Sequence, residues 1–282
     1  MFLEIQEMIK RKRPLIVLIA CLIVNNFSTA QNILPDTSIS KIFLTDVSNS
    51  YNFSVAMFEQ PPNFSQKDWL KIGAIASGTA LLFTIDKNVK NFAHSKKNEL
   101  NNNIFNFDSF YGNQYTAIFT GGLYGVGLFS NNHKIRELGL YTSEAFIISG
   151  LTTFALKVII GRRRPYAGND NLFLKPFQLT NNDYQSLPSG HTATAFAVST
   201  VMANYFDNLP WKIFWYGSAS MVAFSRIYHN KHWVSDVFLG AVIGYFVGEF
   251  VINFNSKNTL RVSNLNLMTV FSINRIGIQL NL

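Results

Sequence analysis

Between its basic N-terminus and its tail, the chain is a succession of apolar stretches parted by short polar loops, roughly 70–86, 115–132, 140–160, 190–206, 211–225 and 234–253. These stretches carry Ala, Gly, Leu, Phe and Ile without the strict alternation of a half-buried strand, so the pattern predicts helices. No Gly/Ser/Pro-rich linker divides the 282 residues. The expected fold is therefore one all-α domain, a helical bundle of about six core helices.

Whether such helices cross a bilayer depends on where the charge falls. Only 14% of the residues are charged, against about 25% in soluble domains, which excludes a disordered chain and a nucleic-acid-coating one. A span needs about 20 mainly apolar residues, and of these six stretches only 114–132 stays free of charge for nearly that long. The stretches 70–86, 140–160, 211–225 and 234–253 are interrupted by Lys71, Glu144, Lys157, Lys212, Asp236 and Glu249. All four tryptophans (Trp69, Trp211, Trp215, Trp233) stand at or near segment starts, as an interfacial belt would have them. The expectation is a membrane-embedded bundle, with a soluble or membrane-surface bundle as the alternative.

The net charge of +8 is concentrated rather than spread. Lys10, Arg11, Lys12 and Arg13 precede the apolar run 14–24, and Ser28, Thr29 and Ala30 supply small residues before Gln31. That three-part plan reads as a secretory signal over residues 1–30; a lipoprotein signal ending at Cys21 and an uncleaved anchor are the competing readings. Residues 31–255 then form the bundle. In the tail, 256–282, Leu265, Leu267, Phe271 and Ile273, then Ile276, Ile278, Leu280 and Leu282, recur with period two about Asn274 and Arg275, which predicts a β-hairpin. Cys21 is the single cysteine, so neither a disulfide framework nor a cysteine-based metal site is available. The remaining cation clusters, Lys157 with Arg162, Arg163 and Arg164, and Arg226 with Lys231, suit an anion pocket better than a nucleic-acid face.

Three polar clusters carry chemistry. In the first, Lys157 and Arg164-Pro165 close the 140–160 helix; the residue before proline is held extended, so two cations can converge near a helix end on a phosphoryl group, Arg as a fork and Lys as a point charge. In the second, Pro188-Ser189-Gly190-His191 precedes an apolar helix. Ser189 sits where an N-cap belongs, Gly190 lets backbone N–H groups approach a ligand, and a helix N-terminus is an anion site with His191 beside it. In the third, Ser225-Arg226 is followed by His232 and Asp236 at i and i+4, where a carboxylate can fix the imidazole tautomer and leave the other nitrogen free to attack. A zinc site on His229 and His232 lacks a good third ligand nearby. Taken singly, each cluster also has a plain structural reading: a membrane-flanking basic loop, a helix cap, a His–Asp pair.

Together, the order and spacing resemble the tripartite signature of the type 2 phosphatidic acid phosphatase superfamily: K-x6-R-P, then P-S-G-H, then S-R-x5-H-x3-D, with every signature position filled between residues 157 and 236. The superfamily includes membrane lipid-phosphate phosphatases, soluble periplasmic acid phosphatases and vanadium haloperoxidases. The resemblance implies that His232 is the nucleophile, forming a phosphohistidine, that Asp236 orients it, and that His191 protonates the leaving oxygen. Lys157, Arg164, Ser189, Gly190 and Arg226 would hold the non-bridging oxygens, with no metal or other cofactor required. It implies a lipid phosphate as substrate, with a soluble broad-specificity acid phosphatase and a haloperoxidase as alternatives. It further implies a cell-envelope enzyme whose site faces the periplasm, although Lys87, Lys90, Lys96 and Lys97 argue for a cytoplasmic loop by the positive-inside rule. Arg162, Arg163, His229 and Lys231 are not signature positions; they are expected to be solvated rather than catalytic, with substrate-headgroup or membrane contact as the alternative.

Overall fold

The computed structural model describes residues 38–275 other than Gln60; the expected export signal lies outside them. Among the described residues there are nine helices: α1 (Ile39–Phe58), α2 (Gln66–Leu82), α3 (Asp86–Ser95), α4 (Glu99–Phe105), α5 (Gln114–Phe129), α6 (His133–Ile160), α7 (Gly190–Phe206), α8 (Leu209–Tyr228) and α9 (Val234–Arg275). Five of the six apolar stretches fall on α5, α6, α7, α8 and α9. The stretch 70–86 is cut by a turn at Phe83–Ile85, so that Asp86 opens a separate helix, α3. The tail departs from expectation: α9 runs on through Arg275, so the first arm of the anticipated hairpin is helical, and residues 276–282 lie outside the described part. No Gly or Pro stands between Asn255 and Arg275 to stop the helix, and helix propagation past a formed nucleus adds one bond per residue fixed.

The core is built around α7. Its Ala193, Ala195, Ala197, Val198, Val201 and Met202 are fully buried, and it packs against α6, α8 and α9. The close α7–α9 crossing comes from Gly240, Gly244 and Gly248, spaced one turn apart. A Cβ at Gly244 would stand 2.2 Å from the Ala193 carbonyl oxygen, and one at Gly240 2.5 Å from that of Ser189. Small residues at i, i+4 and i+8 let two backbones approach within what larger side chains forbid. This brings the first turn of α9 against the first turn of α7, where the second and third polar clusters lie.

Large apolar side chains also face outward: Ile118, Val126 and Phe129 on α5, Ile147, Leu151 and Phe154 on α6, Tyr245 and Phe246 on α9. In water, such a surface would be an aggregation liability; it is the kind of surface that a bilayer would cover. Two helices are long and apolar enough to cross a bilayer, α6 and residues Val234–Asn255 of α9, and α2 with α3 make a third candidate bent by 57°. The charge-free stretch 114–132 is not one of them, because α5 ends after 16 residues at Ser130 and Asn131, whose φ is 55°. The two spans instead contain Glu144 and Asp236, both buried and hydrogen-bonded inside the bundle. The tryptophan belt is likewise partial: Trp69 is exposed, whereas Trp215 and Trp233 are buried.

Candidate active site

Gly161 ends α6 in the left-handed conformation at φ 62°, and a Cβ there would collide with the Lys175 carbonyl oxygen. Only glycine makes this turn without strain. Beyond it, the loop 161–189 is pinned back on the helix end by backbone bonds from Lys175 N to Gly161 O (2.7 Å) and from Ser186 N to Arg162 O (3.0 Å). The loop thereby carries Arg164 over the mouth of a cavity of about 310 Å³ lined by Lys157, Arg164, Gly190, His191, Arg226 and His232, with Gly112, Gly150, Thr153, Phe154, Gln185 and Thr194. All three polar clusters thus open on one cavity at one end of the bundle.

Three cations face this space from three elements. Lys157 donates to the Gln185 carbonyl oxygen at 2.8 Å. Arg226 is held by Asp108 at 2.5 Å, both nearly buried. The Nε–H groups of Arg164 and Arg226, and Nδ1 of His232, are buried without a hydrogen-bond partner. Buried polar atoms are nearly always paired, so unpaired N–H groups on two cations around one cavity mark a place for an anion. The N-terminus of α7 adds the Gly190 N–H.

His232 lies just before α9, 2% exposed, with Nδ1 3.6 Å from Asp236 Oδ2. That is a charge contact a little beyond hydrogen-bond reach. Asp236 is firmly placed: Oδ2 accepts from Ser186 Oγ (2.5 Å) and Trp233 N (2.9 Å), and Oδ1 from Arg162 (2.6 Å). Burial and then the nearby Lys157, Arg164, Arg226 and His191 push the His232 imidazole well below its ordinary range, so it is neutral and its lone pair available. His191, in the first turn of α7 and outside the candidate spans, is lowered to about 3 by burial and then by Arg226, Lys157 and Arg164.

Two expected site residues stand behind the cavity rather than in its lining. Asp236 is one. Ser189 is the other: it precedes α7, but its hydroxyl pairs with Thr192 Oγ1 at 2.9 Å and caps no backbone N–H. Arg162, expected to be solvated, is fully buried between Asp86 and Asp236; Gly161 turns its side chain inward. Arg163 stacks 3.8 Å from the Phe173 ring, and His229 meets the Phe105 carbonyl oxygen. Sequence reasoning missed Asp86 and Asp108. The signal was faint: Asp108 has no basic residue at helical spacing, whereas Asp86 has Lys90 at i+4 and reads as an ordinary surface pair.

Residues 138–260 match the family model described as "PAP2 superfamily". The matched segment is similar to PAP2 superfamily proteins and makes up less than half of the chain. It spans α7, α8, most of α6 and the first part of α9, and contains every cluster above. A lipid A 1-phosphatase of Porphyromonas gingivalis is 46% identical over 78 residues, covering 27% of this chain and 17% of that protein. A PA-phosphatase related-family protein of Dictyostelium discoideum is 31% identical over 143 residues, 45% of this chain and 52% of that one. The chain therefore spans about half or less of the length of these curated relatives. The crystal structure of Aquifex aeolicus LpxE matches with a TM-score of 0.47 at 24% identity, over 60% of this chain and 95% of that one. Asp86 and Asp108 lie outside the matched PAP2 segment but are joined to it by Arg162 and Arg226.

Proposed function

We propose that the protein is a metal-independent phosphatase that hydrolyses a lipid phosphate or diphosphate ester through a phosphohistidine. The observation that carries this reading is the cavity: three cations and a helix N-terminus surround a buried, neutral imidazole, with unpaired N–H groups around it. Lys157, Arg164, Arg226 and the Gly190 N–H bind the non-bridging oxygens and hold the phosphorus before His232. The free ring nitrogen attacks; the P–O bond to the leaving group breaks, and His191 gives that oxygen a proton. Asp236 stabilises the imidazolium character that develops on His232. Water, deprotonated by His191, then releases inorganic phosphate and restores the imidazole. The protein contributes position and charge stabilisation, which is most of what phosphoryl transfer requires.

A proton must reach His191 with the substrate. In the empty cavity, three cations disfavour its protonation; a phosphate dianion between them reverses that field. Substrate binding and proton uptake are thus linked.

The lipid character of the substrate rests on the apolar exterior that carries the cavity and on the relatives, one named a lipid A 1-phosphatase and another, from Sulfolobus acidocaldarius, an undecaprenyl-diphosphatase. In our reading the site faces the periplasm. The basic and apolar plan of residues 1–30 supports export. Three of the four opposing lysines make contacts within the fold: Lys90 donates to Pro165 O and Asn169 Oδ1, both at 2.9 Å, and Lys96 and Lys97 lie over the rings of Phe92 and Tyr228.

The test is phosphate release from phosphatidic acid, phosphatidylglycerol phosphate, undecaprenyl diphosphate and a lipid A phosphate, beside p-nitrophenyl phosphate, with and without EDTA. Turnover of a lipid phosphate that survives EDTA is expected. Turnover confined to the water-soluble ester, or abolished by EDTA and restored by a divalent ion, would overturn the reading.

A further inference from the structure

Behind His232 lies a second layer of charge that the signature does not describe. Arg162 is fully buried, and its guanidinium is shared between two fully buried carboxylates. Nη1 donates to Asp236 Oδ1 and Nη2 to Asp86 Oδ2, each at 2.6 Å. Nε and Nη2 also bond the Asn171 carbonyl oxygen at 2.8 and 2.7 Å, and the Phe83 ring covers the plane at 4.2 Å. Asp86 Oδ1 accepts from the Ser235 N–H at 3.0 Å and from its hydroxyl at 2.9 Å, which fastens it to the first turn of α9 one residue before Asp236. Arg162, Asp86, Ser235 and Asp236 are all fully buried.

Burying three charges is expensive, and replacing such clusters by apolar residues is often neutral or stabilising. The cluster therefore asks for another reason, and its charge balance supplies one. An Arg162–Asp236 pair alone would be neutral, so its field at the imidazole would be weak. Adding Asp86 leaves one net negative charge behind the ring, while Arg162 still fixes the Asp236 carboxylate in place. As the ring nitrogen bonds to phosphorus, positive charge grows on the imidazole, and a fixed negative charge in a water-free surrounding stabilises that growth more than it stabilises the neutral ring.

We infer that Asp86 and Arg162 are positioning residues for phosphoryl transfer: Asp86, acting through Arg162, keeps Asp236 oriented and the layer behind His232 negative as the P–N bond forms. This deepens the phosphohistidine reading and rests on it. Because neither residue touches substrate, the effect belongs in kcat rather than in KM.

The experiment uses the full chain in detergent micelles with phosphatidic acid, or with whichever lipid of the panel is turned over fastest, and compares Asp86→Asn, Arg162→Lys, Arg162→Gln and His232→Ala. Asp86→Asn keeps an oxygen for Ser235 but removes the charge and the acceptor of Arg162 Nη2. It is expected to lower kcat about 10–100-fold, the range seen when the outer partners of a reacting group are removed, with KM within about threefold. Orthovanadate, which can take the five-coordinate geometry of transfer, should lose affinity by the same factor, whereas inorganic phosphate should not. Arg162→Lys should retain more kcat than Arg162→Gln. Wild-type kcat in Asp86→Asn overturns the inference, as does a parallel loss of phosphate affinity, the mark of a merely structural prop. His232→Ala separates the two levels: if it remains active the phosphatase mechanism itself falls, and if it is dead while Asp86→Asn is unimpaired only the outer layer does.

Discussion

Two buried polar networks lie at opposite ends of this bundle, and they differ in what they leave unpaired. At the far end, Glu144 accepts from Ser50 Oγ at 2.6 Å and from Asn255 Nδ2 at 3.1 Å, while Asp46 accepts from Tyr124 at 2.9 Å and faces Arg136 at 3.4 Å. None of the four acceptors and donors Glu144, Asp46, Ser50 and Asn255 leaves a buried polar atom without a partner. At the other end, Arg164, Arg226 and His232 line a cavity; the two arginines each leave an Nε–H unpaired, while His232 Nδ1 faces Asp236 at 3.6 Å. The first network answers its own polarity and ties α1 to α5, α6 and α9. The second has donors to spare, and the difference between helix glue and a ligand site is that surplus.

The sharpest way to break the comparison is to remove the group on which the surplus converges. His232→Ala should reduce phosphate release by about 10⁴-fold or more, the scale of losing a nucleophile from a concerted set, with helical circular dichroism unchanged. His191→Ala should cost about 10²–10⁴-fold, the range for acid–base catalysis, and more for an alkyl phosphate than for p-nitrophenyl phosphate. An equal loss for both would remove the acid role. The same residue gives a pH signature. With its imidazole lowered to about 3 in the empty cavity, phosphate binding at pH 6–7 should take up a proton and tighten as pH falls. Calorimetry in buffers of different ionisation enthalpy measures that uptake, and it should shrink in His191→Ala relative to wild type.

A smaller effect is expected from Asp108. Its carboxylate holds Arg226, and removing one partner of a buried pair leaves an uncompensated charge. Asp108→Asn should lower the melting temperature of the empty protein, and saturating phosphate should restore most of the loss by taking the carboxylate's place. A melting loss that phosphate does not repair would make Asp108 an ordinary fold contact.

The two networks were unequally legible in the sequence. Lys157, Arg164, His191, Arg226 and His232 declare themselves, because each lies at a helix end in a local run whose residue types have little reason to gather except around an anion. Their outer partners do not. Asp86 and Asp108 are single acids in segments of no evident pattern, and only the tertiary fold brings them 76 and 118 residues along the chain to Arg162 and Arg226. Arg162 itself reads as one more arginine of a basic loop until Gly161 turns it inward. Apolar periodicity found α7 at its observed bounds, yet missed α1, α3 and α4, whose polar faces hide them. It also misjudged the spans, since Glu144 and Asp236 count against α6 and α9 by composition while packing has already paired them.

The far-end network supplies the smallest prediction and the control for the rest. Glu144 lies 13 residues before Lys157 on α6, about 20 Å along the helix at 1.5 Å per residue. Glu144→Gln keeps a carbonyl oxygen for Ser50 and gives up the charged acceptor of Asn255. The loss is one hydrogen bond within a satisfied set, worth about 1 kcal/mol, and it should appear as a modest drop in melting temperature. Both kcat and KM should stay within about twofold of wild type, because no group between Glu144 and the cavity changes charge. A large fall in kcat here, with the melting temperature intact, would mean that the two ends of the bundle are coupled, and the distinction between glue and site would have to be drawn elsewhere.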